Sequence, residues 1–331
     1  MQSNLSIERP STMVPKQHIL KVEQAITLEG GDSLQNVRIS FTTYGTLNAT
    51  KTNAVWVFHA LTANGNPTEW WSDMVGENKV LNPKEHFIIC ANILGSCYGT
   101  TGPKNRNFPV VTIRDMVSAH KILKSHLGID KIKLGIGGSL GGQQLLEWAV
   151  QEPNLFENIV PLATNAVHSP WGIAFNEAQR MALENIDQAK GLEAARAIAM
   201  LSYRHYDTYE VKQKDVDQRW DGFSASSYQK YQGEKLRKRF AVESYYYLSK
   251  AMDSHHLGRH YISVEAALSR IKSRALVIGI ATDILFPISE QQLLAKYIPN
   301  AKFEVVESIF GHDGFLTEAH QISALVADFI D

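Results

Sequence analysis

Cysteine, long apolar runs and net charge are all scarce in this sequence. Its two cysteines, Cys90 and Cys97, are too few for the disulfide framework of a secreted protein. They also lack metal-ligand spacing, so we expect two free thiols. No apolar run approaches the about 20 residues that cross a bilayer, and residues 1–17 lack the apolar segment of a signal peptide. These absences predict a cytoplasmic protein without a membrane span.

The near-balance of charge excludes further classes of partner. A formal net charge of −1 over 331 residues creates no long-range field that would attract nucleic acid or an anionic membrane surface. Small-molecule chemistry is therefore the expectation. The length is large for one compact domain and small for three, so we expect one large domain that carries an insertion.

Short β-branched runs alternate with helical patterns along most of the chain. The expected strands are residues 37–44, 54–59, 86–91, 132–137, 159–163, 275–280 and 302–307. Apolar residues recur at helical spacing in residues 112–127 and 289–297. Alternation of buried strands with helices predicts an α/β fold with a mostly parallel central sheet and helices on both faces.

The strand signal disappears between residues 169 and 263. Helical patterns occupy residues 175–183, 192–201 and 241–252, while the polar stretch 206–235 is interpreted as a solvated surface. We therefore predict a helical cap over residues 169–263, inserted into a core made of residues 1–168 and 264–331.

The pentapeptide 137–141, with the pattern G-x-S-x-G, lies between an apolar run and a helical pattern. A strand that turns sharply into a helix leaves no room for Cβ atoms beside the serine, which explains the flanking glycines. This context predicts a nucleophile elbow with Ser139 as the nucleophile. A serine hydroxyl is a poor nucleophile by itself, so it needs a general base and an acid that orients the base.

Two residues in the last third of the chain fit those roles. Asp283 follows the expected strand 275–280, and His312 follows the expected strand 302–307. The order Ser, Asp, His is the chain order of the α/β-hydrolase fold, in which each member follows its own strand. We therefore predict the triad Ser139, Asp283 and His312.

An oxyanion hole requires two backbone amides near the nucleophile. Leu140 follows Ser139 directly, and Leu61 lies in the loop after the expected strand 54–59. Both N–H groups are the predicted donors. His59 is expected to make a structural hydrogen bond in the same loop, and the Trp70–Trp71 pair is a candidate pocket wall.

These residues lie in motifs that resemble the homoserine O-acetyltransferases of the α/β-hydrolase fold. The motifs are residues 59–62 (HALT), 90–103 (CANILGSCYGTTGP), 108–115 (FPVVTIRD), 137–142 (GGSLGG), 283–287 (DILFP) and 311–313 (GHD). The resemblance implies that acetyl-CoA acylates the serine and that homoserine then accepts the acetyl group, in the service of methionine biosynthesis. It implies no permanently bound cofactor, two small-molecule substrates and a homodimer formed through the cap helices.

The resemblance also assigns the binding residues. Arg180 matches the arginine that holds the homoserine carboxylate, and Asp313 matches the aspartate that holds its ammonium group. Gln143 occupies an acyl-pocket position, where its neutral amide favours acetyl over succinyl. The alternatives are an ion-paired surface arginine for Arg180 and a helix cap for Asp313.

Two departures leave the substrates open. The family's insertion before Phe108 is shortened, and its usual cap segment after Arg180 is replaced by residues 184–191. An esterase or thioesterase that uses water, an enzyme that acts on serine or uses succinyl-CoA, and a non-catalytic binding protein therefore stay as alternatives. His256 and His260 are four residues apart but lack an H-E-x-x-H motif, so we predict no metal site.

Overall fold

An eight-stranded sheet lies at the centre of the computed structural model, which describes residues 15–185 and 187–330. The ten strands are β1 (Lys16–Lys21), β2 (Ile26–Thr27), β3 (Ser33–Leu34), β4 (Arg38–Tyr44), β5 (Ala54–Phe58), β6 (Phe87–Ala91), β7 (Ile132–Gly138), β8 (Phe156–Leu162), β9 (Arg274–Ile280) and β10 (Ala301–Val306). Their order in the large sheet is β1-β4-β6-β5-β7-β8-β9-β10, with β2 and β3 paired separately. From β6 to β10 all neighbours are parallel, whereas β4 pairs antiparallel with both β1 and β6.

Helices follow the five strands β6 to β10. They are α1 (Ile113–His126), α2 (Leu140–Gln151), α3 (Pro170–Asn185), α4 (Gln188–Tyr203), α5 (Tyr206–Lys212), α6 (Ser224–Arg237), α7 (Val242–Asp253), α8 (Val264–Leu268), α9 (Ile288–Tyr297), α10 (Gly314–Thr317) and α11 (Ala319–Ile330). In the part of the chain that the structure describes, none of them is long and apolar enough to cross a membrane.

The sheet is buried on both faces because its strand residues alternate between two apolar layers. Trp56 and Phe58 of β5 pack in one layer with α1 and α2, whereas Val55 and Val57 pack in the other with α11. Every residue of β5 is buried. The α/β fold with a mostly parallel sheet and helices on both faces is therefore confirmed.

Two strands of the large sheet, β8 and β1, differ from the prediction by more than one residue. β8 begins at Phe156, three residues before the predicted start at 159. β1 was not predicted, because five of its six residues are exposed and carry no apolar alternation. It forms the edge of the sheet, where charged side chains such as Lys16 and Lys21 are common. Residues 1–14 of the predicted core segment lie outside the described residues.

Between β8 and β9 the described chain forms helices α3 to α8. Helices α5 and α6 lie in the stretch 206–235, which the sequence pattern predicted only as solvated surface. Helix α6 packs closely on α4 at Gly233. A Cβ atom at this position would lie only 2.8 Å from the carbonyl oxygen of Glu193, so a glycine is needed for this contact. Ile186, in the segment that departs from the family pattern, lies outside the described residues.

Candidate active site

Ser139 lies at a sharp turn between β7 and α2. Its backbone has φ 57° and ψ −129°, a conformation that costs a non-glycine residue about 1–3 kcal/mol. The flanking glycines permit this turn, since a Cβ atom on Gly137 would lie 2.8 Å from Cβ of Phe58. A Cβ atom on Gly141 would collide with the carbonyl oxygen of Phe58. Packing against β5 thus requires glycine on both sides of the serine.

Asp283 and His312 meet at the carboxyl end of the sheet. His312 Nδ1 lies 2.7 Å from Asp283 Oδ2, and both side chains are buried. Asp283 Oδ1 accepts the backbone N–H groups of Leu285 at 2.8 Å and Phe286 at 2.9 Å. Since an ionised carboxylate only accepts hydrogen bonds, His312 Nδ1 carries the proton and Nε2 is left with its lone pair.

Ser139 and His312 line one cavity of about 460 Å³. Within residues 15–185 and 187–330, no hydrogen bond of 3.5 Å or less joins Ser139 Oγ to the imidazole. Such bonds often shorten only in the substrate complex. The arrangement places a strained serine, an oriented imidazole and a buried carboxylate around the same space.

Two backbone amides near Ser139 have no hydrogen-bond acceptor among the described residues. Among the described hydrogen bonds, neither the N–H of Leu61 nor that of Leu140 has an acceptor. Leu140 is the first residue of α2, where helical N–H groups have no intrahelical acceptor. Leu61 lies in the loop after β5 and lines the cavity with Ser139. The prediction of these two residues as the oxyanion hole is compatible with their free amides.

Gln144 connects the loop after β5 to α2, the helix that follows Ser139, through hydrogen bonds. Its Nε2 donates to the carbonyl oxygens of His59 and Leu140, both at 3.2 Å. Its Oε1 lies 3.0 Å from His120 Nε2. His59 in turn accepts the N–H of Ile93 at Nε2, the structural hydrogen bond predicted for it. This buried polar network holds together the two segments that carry the free amides.

Gln143 does not line the cavity, so its place in the acyl pocket stays a prediction that the cavity lining does not support. Its side chain is completely buried and donates to Asn165 Oδ1 at 3.0 Å. Adjacent positions on a helix face directions about 100° apart, so only one of the two glutamines can lie beneath the loop after β5. That residue is Gln144, which the sequence reasoning missed.

Arg180 is also directed away from the cavity. Only 5% of the residue is exposed, and its Nη2 lies 2.6 Å from both Glu177 Oε2 and Asp253 Oδ2. Its Nη1 donates to Ser249 Oγ at 3.1 Å. The guanidinium therefore joins α3 to α7. The role of Arg180 as a substrate carboxylate ligand stays a prediction, one that the cavity lining does not support.

Arg196 lines the cavity instead. It lies on α4 seven residues before Tyr203, so both side chains share one helix face. The guanidinium carbon of Arg196 is 5.3 Å from the centre of the Tyr203 ring. Among the described residues, no carboxylate lies within 4.0 Å of it. Sequence reasoning missed Arg196 because an arginine on an amphipathic helix gives no sign of which way its face points.

Asp313 lines the same cavity, next to His312. Its Oδ2 lies 3.1 Å from Nε of Arg204. The alternative of a helix-capping side chain is not supported, because Asp313 makes no side-chain hydrogen bond to the start of α10.

The two tryptophans of the predicted pocket wall lie in different places. Trp70 lines the cavity, whereas Trp71 is buried and donates a hydrogen bond to the carbonyl oxygen of Phe315.

Buried histidines below the loop after β5 should make the fold sensitive to acid. Burial lowers the pKa of both His59 and His120 from 6.5 to about 4. The unfolded chain therefore binds more protons, and stability falls as the pH drops from 6.5 towards 4. For His120→Gln we expect the slope of unfolding free energy against pH to decrease, by up to about 1.4 kcal/mol per pH unit.

Urea unfolding of both proteins at several pH values between 7 and 4 measures this slope. The solvated His126→Gln serves as the matched control on the same helix, α1. Equal slopes for wild type and His120→Gln would contradict the prediction, even if the variant were less stable at every pH.

Comparisons with known proteins identify the fold and the family of the chain. A family model described as the α/β-hydrolase fold matches residues 53–319. A homoserine O-acetyltransferase of Cyclobacterium marinum is 47% identical, over 96% of each chain. The crystal structure of a homoserine O-acetyltransferase from Bacillus anthracis superposes with a TM-score of 0.86 at 23% identity, covering 96% of this chain and 98% of that one. The structure of esterase E22 has a TM-score of 0.87 at 20% identity, covering 96% and 100%, and shows the fold alone.

Proposed function

The chain belongs to the homoserine O-acetyltransferase family of α/β hydrolases, and from this premise we propose that it acetylates the hydroxyl group of homoserine with acetyl-CoA as donor. The product, O-acetylhomoserine, serves methionine biosynthesis. The observation that carries the proposal is one cavity lined by Ser139, His312 and Arg196. It combines an acyl-transfer group with a cation free to hold an amino-acid carboxylate.

In the first half-reaction Ser139 Oγ attacks the thioester carbonyl while His312 Nε2 takes its proton. The N–H groups of Leu61 and Leu140 stabilise the oxyanion, and each is worth about 3 kcal/mol of barrier in comparable sites. When the carbon–sulfur bond breaks, His312 returns the proton to the CoA sulfur. Asp283 accepts the hydrogen bond of the Nδ1–H group throughout, without taking its proton, and stabilises the transient imidazolium.

The second half-reaction reverses these roles. The homoserine hydroxyl gives its proton to His312 Nε2 and attacks the acetyl carbonyl carbon. The tetrahedral intermediate uses the same two amides, and the proton returns to Ser139 as the ester to the enzyme breaks. This ping-pong scheme uses one base and one oxyanion hole for both steps.

Arg196 and Asp313 are the proposed ligands of homoserine. A guanidinium without a carboxylate partner can hold the substrate carboxylate through two hydrogen bonds. Asp313 can accept the ammonium group, and its contact with Arg204 holds the carboxylate at the cavity wall. Arg180 is replaced in this role, because its own acidic partners already occupy it.

Residues 169–263 are the proposed cap, and the rest of the chain is the proposed core. Support comes from the cavity wall, to which the inserted helices contribute Arg196, Tyr203 and Lys235. A cap of this kind excludes water that would otherwise hydrolyse the acyl-enzyme.

We also propose that the protein forms a homodimer through the cap, where the apolar side chains of Val216 and Trp220 are exposed. We further propose a cytoplasmic location.

We expect Arg196→Gln to raise the KM for homoserine by about 10- to 150-fold, the worth of hydrogen bonds to a charged group. The rate of acylation should stay within about twofold, since Ser139 and its base are unchanged. Steady-state kinetics and the burst of CoA release measure the two effects. The control is Arg237→Gln, an exposed arginine that pairs with Glu193 and does not line the cavity. A slower burst with an unchanged KM would remove Arg196 from the acceptor site.

One assay panel tests the function as a whole. CoA release is followed with acetyl-CoA or succinyl-CoA, each with homoserine, with serine or without an acceptor. The proposal requires acetyl-CoA to be preferred and homoserine to accelerate turnover. Rapid hydrolysis of acetyl esters, at a rate that added homoserine or serine does not change, would indicate an esterase instead.

A further inference from the structure

The most basic stretch of the chain ends at the cavity. Residues 230–239 contain five lysines and arginines but only one acidic residue, Glu234, although the whole chain has a net charge of −1. Two of the five cations, Lys235 and Arg239, line the cavity that holds Ser139. Both residues are exposed, whereas Ser139 is buried. They therefore mark the opening of the cavity, with the serine at its inner end.

These two cations have no acidic partner. Among the described residues, no carboxylate lies within 4.0 Å of Lys235 or Arg239, whereas their neighbour Arg237 lies 2.5 Å from Glu193. Arg239 Nη1 donates to the hydroxyl of Tyr98 at 3.0 Å and to the carbonyl oxygen of Thr62. Neutral acceptors orient the guanidinium without cancelling its charge, so the positive charge stays available to a ligand.

Neither acidic residue of the cavity lining, Glu69 or Asp313, lies within 4.0 Å of these two cations. Glu69 accepts hydrogen bonds from the side-chain amides of Asn64 at 2.7 Å and Asn66 at 2.9 Å. Asp313 faces Arg204. With Arg196, this pair of basic residues gives the cavity lining three cations against two carboxylates, and one of those carboxylates, Asp313, is paired with Arg204. Lys235 and Arg239 therefore stand at the opening without a carboxylate partner, on a protein that is otherwise close to neutral.

We propose that Lys235 and Arg239 bind the phosphate groups of the CoA donor. The inference rests on the proposed function, in which the thioester end of acetyl-CoA reaches Ser139. The phosphates lie at the other end of the pantetheine arm, so they must remain near the opening while the thioester is buried. Arginine and lysine are the side chains that bind phosphate through charge-assisted hydrogen bonds. This pair makes the opening selective for acyl-CoA over small esters.

The test compares acetyl-CoA with one donor that lacks only the 3′-phosphate and one that lacks the whole 3′-phosphoadenosine diphosphate part. Acetyl-CoA, acetyl-3′-dephospho-CoA and acetyl-pantetheine are assayed with wild type, Lys235→Gln, Arg239→Gln and the double variant. We expect each single variant to raise the KM for acetyl-CoA about 10-fold and the double variant about 100-fold, with acetyl-pantetheine changed less than about twofold. Lys238→Gln is the matched control, an exposed lysine of the same stretch that does not line the cavity.

Calorimetric titration of each full-length protein with CoA alone gives a readout independent of turnover. The dissociation constant should rise by the same factors, and wild-type binding should weaken with salt more steeply than binding by the double variant. If wild type binds CoA in this manner but does not acetylate homoserine, the proposed function fails while the phosphate site stands.

Two results would overturn the inference. An equal rise in KM for acetyl-CoA and acetyl-pantetheine would show that Arg239 acts by positioning Thr62 beside Leu61. CoA affinity that is unchanged in the double variant, or absent in wild type, would exclude phosphate binding by these residues.

Discussion

Ser139→Ala is expected to lower the rate of acetyl transfer by about 10⁴-fold or more, because removing the nucleophile of a triad leaves only binding and oxyanion stabilisation. Alanine keeps the Cβ atom and removes only the hydroxyl, so the elbow geometry with φ 57° should persist. Wild type incubated with acetyl-CoA should gain the mass of one acetyl group, and Ser139→Ala should not. Mass spectrometry and transfer kinetics measure the two effects.

A serine outside the cavity provides the control. Ser118→Ala removes a hydroxyl that bonds only to the Arg114 carbonyl oxygen of its own helix, α1, and should leave transfer unchanged. Both variants should unfold at temperatures close to that of wild type. Transfer by Ser139→Ala within tenfold of wild type would refute a covalent acyl-serine and indicate direct attack of homoserine on the thioester.

Asp283→Asn should cost about 10³- to 10⁴-fold in kcat, the loss seen when a triad acid becomes an amide. The oxygen of the new amide can still accept the N–H groups of Leu285 and Phe286, which leaves its NH₂ group facing His312. That NH₂ group donates to Nδ1 and forces the imidazole proton onto Nε2. His312 then cannot accept the proton of Ser139.

The tautomer itself is measurable. Nitrogen-15 chemical shifts of the His312 ring should show the proton on Nδ1 in wild type and on Nε2 in Asp283→Asn. Asp130→Asn, at an exposed position before β7, is the control and should affect neither rate nor tautomer. A loss of less than tenfold, or an unchanged tautomer, would contradict the role of Asp283.

The strands and the triad order were predictable because their signals are local. Buried parallel strands carry continuous apolar runs, so β5 and β7 agree with their predicted ranges to within one residue at either end. Ser139, Asp283 and His312 each follow a strand, and the fold brings the ends of those strands together. β1 was missed because its backbone hydrogen bonds to β4, and not burial of its own side chains, hold it in the sheet.

The inserted helices were less predictable. An arginine at position 180 and an arginine at position 196 look alike in sequence, since each lies on an amphipathic helix. Packing of α3 against α7 turns Arg180 towards Asp253, whereas α4 presents Arg196 to the cavity. The same distinction separates Gln143 from Gln144, which are adjacent in the chain but contact different partners.

The amino-acid sequence alone determined the α/β fold, the glycine-flanked serine and the order of the three candidate catalytic residues, because each depends on strand pattern or on backbone sterics within a few residues. Only the tertiary structure decided which cations face the cavity. Arg196 and Lys235 lie on helices α4 and α6, and Arg239 lies in the turn after α6. Contacts with neighbouring helices set the rotation of both helices and so decide which of these side chains line the cavity. Those contacts join residues far apart in the chain, so no local pattern of spacing or charge encodes them.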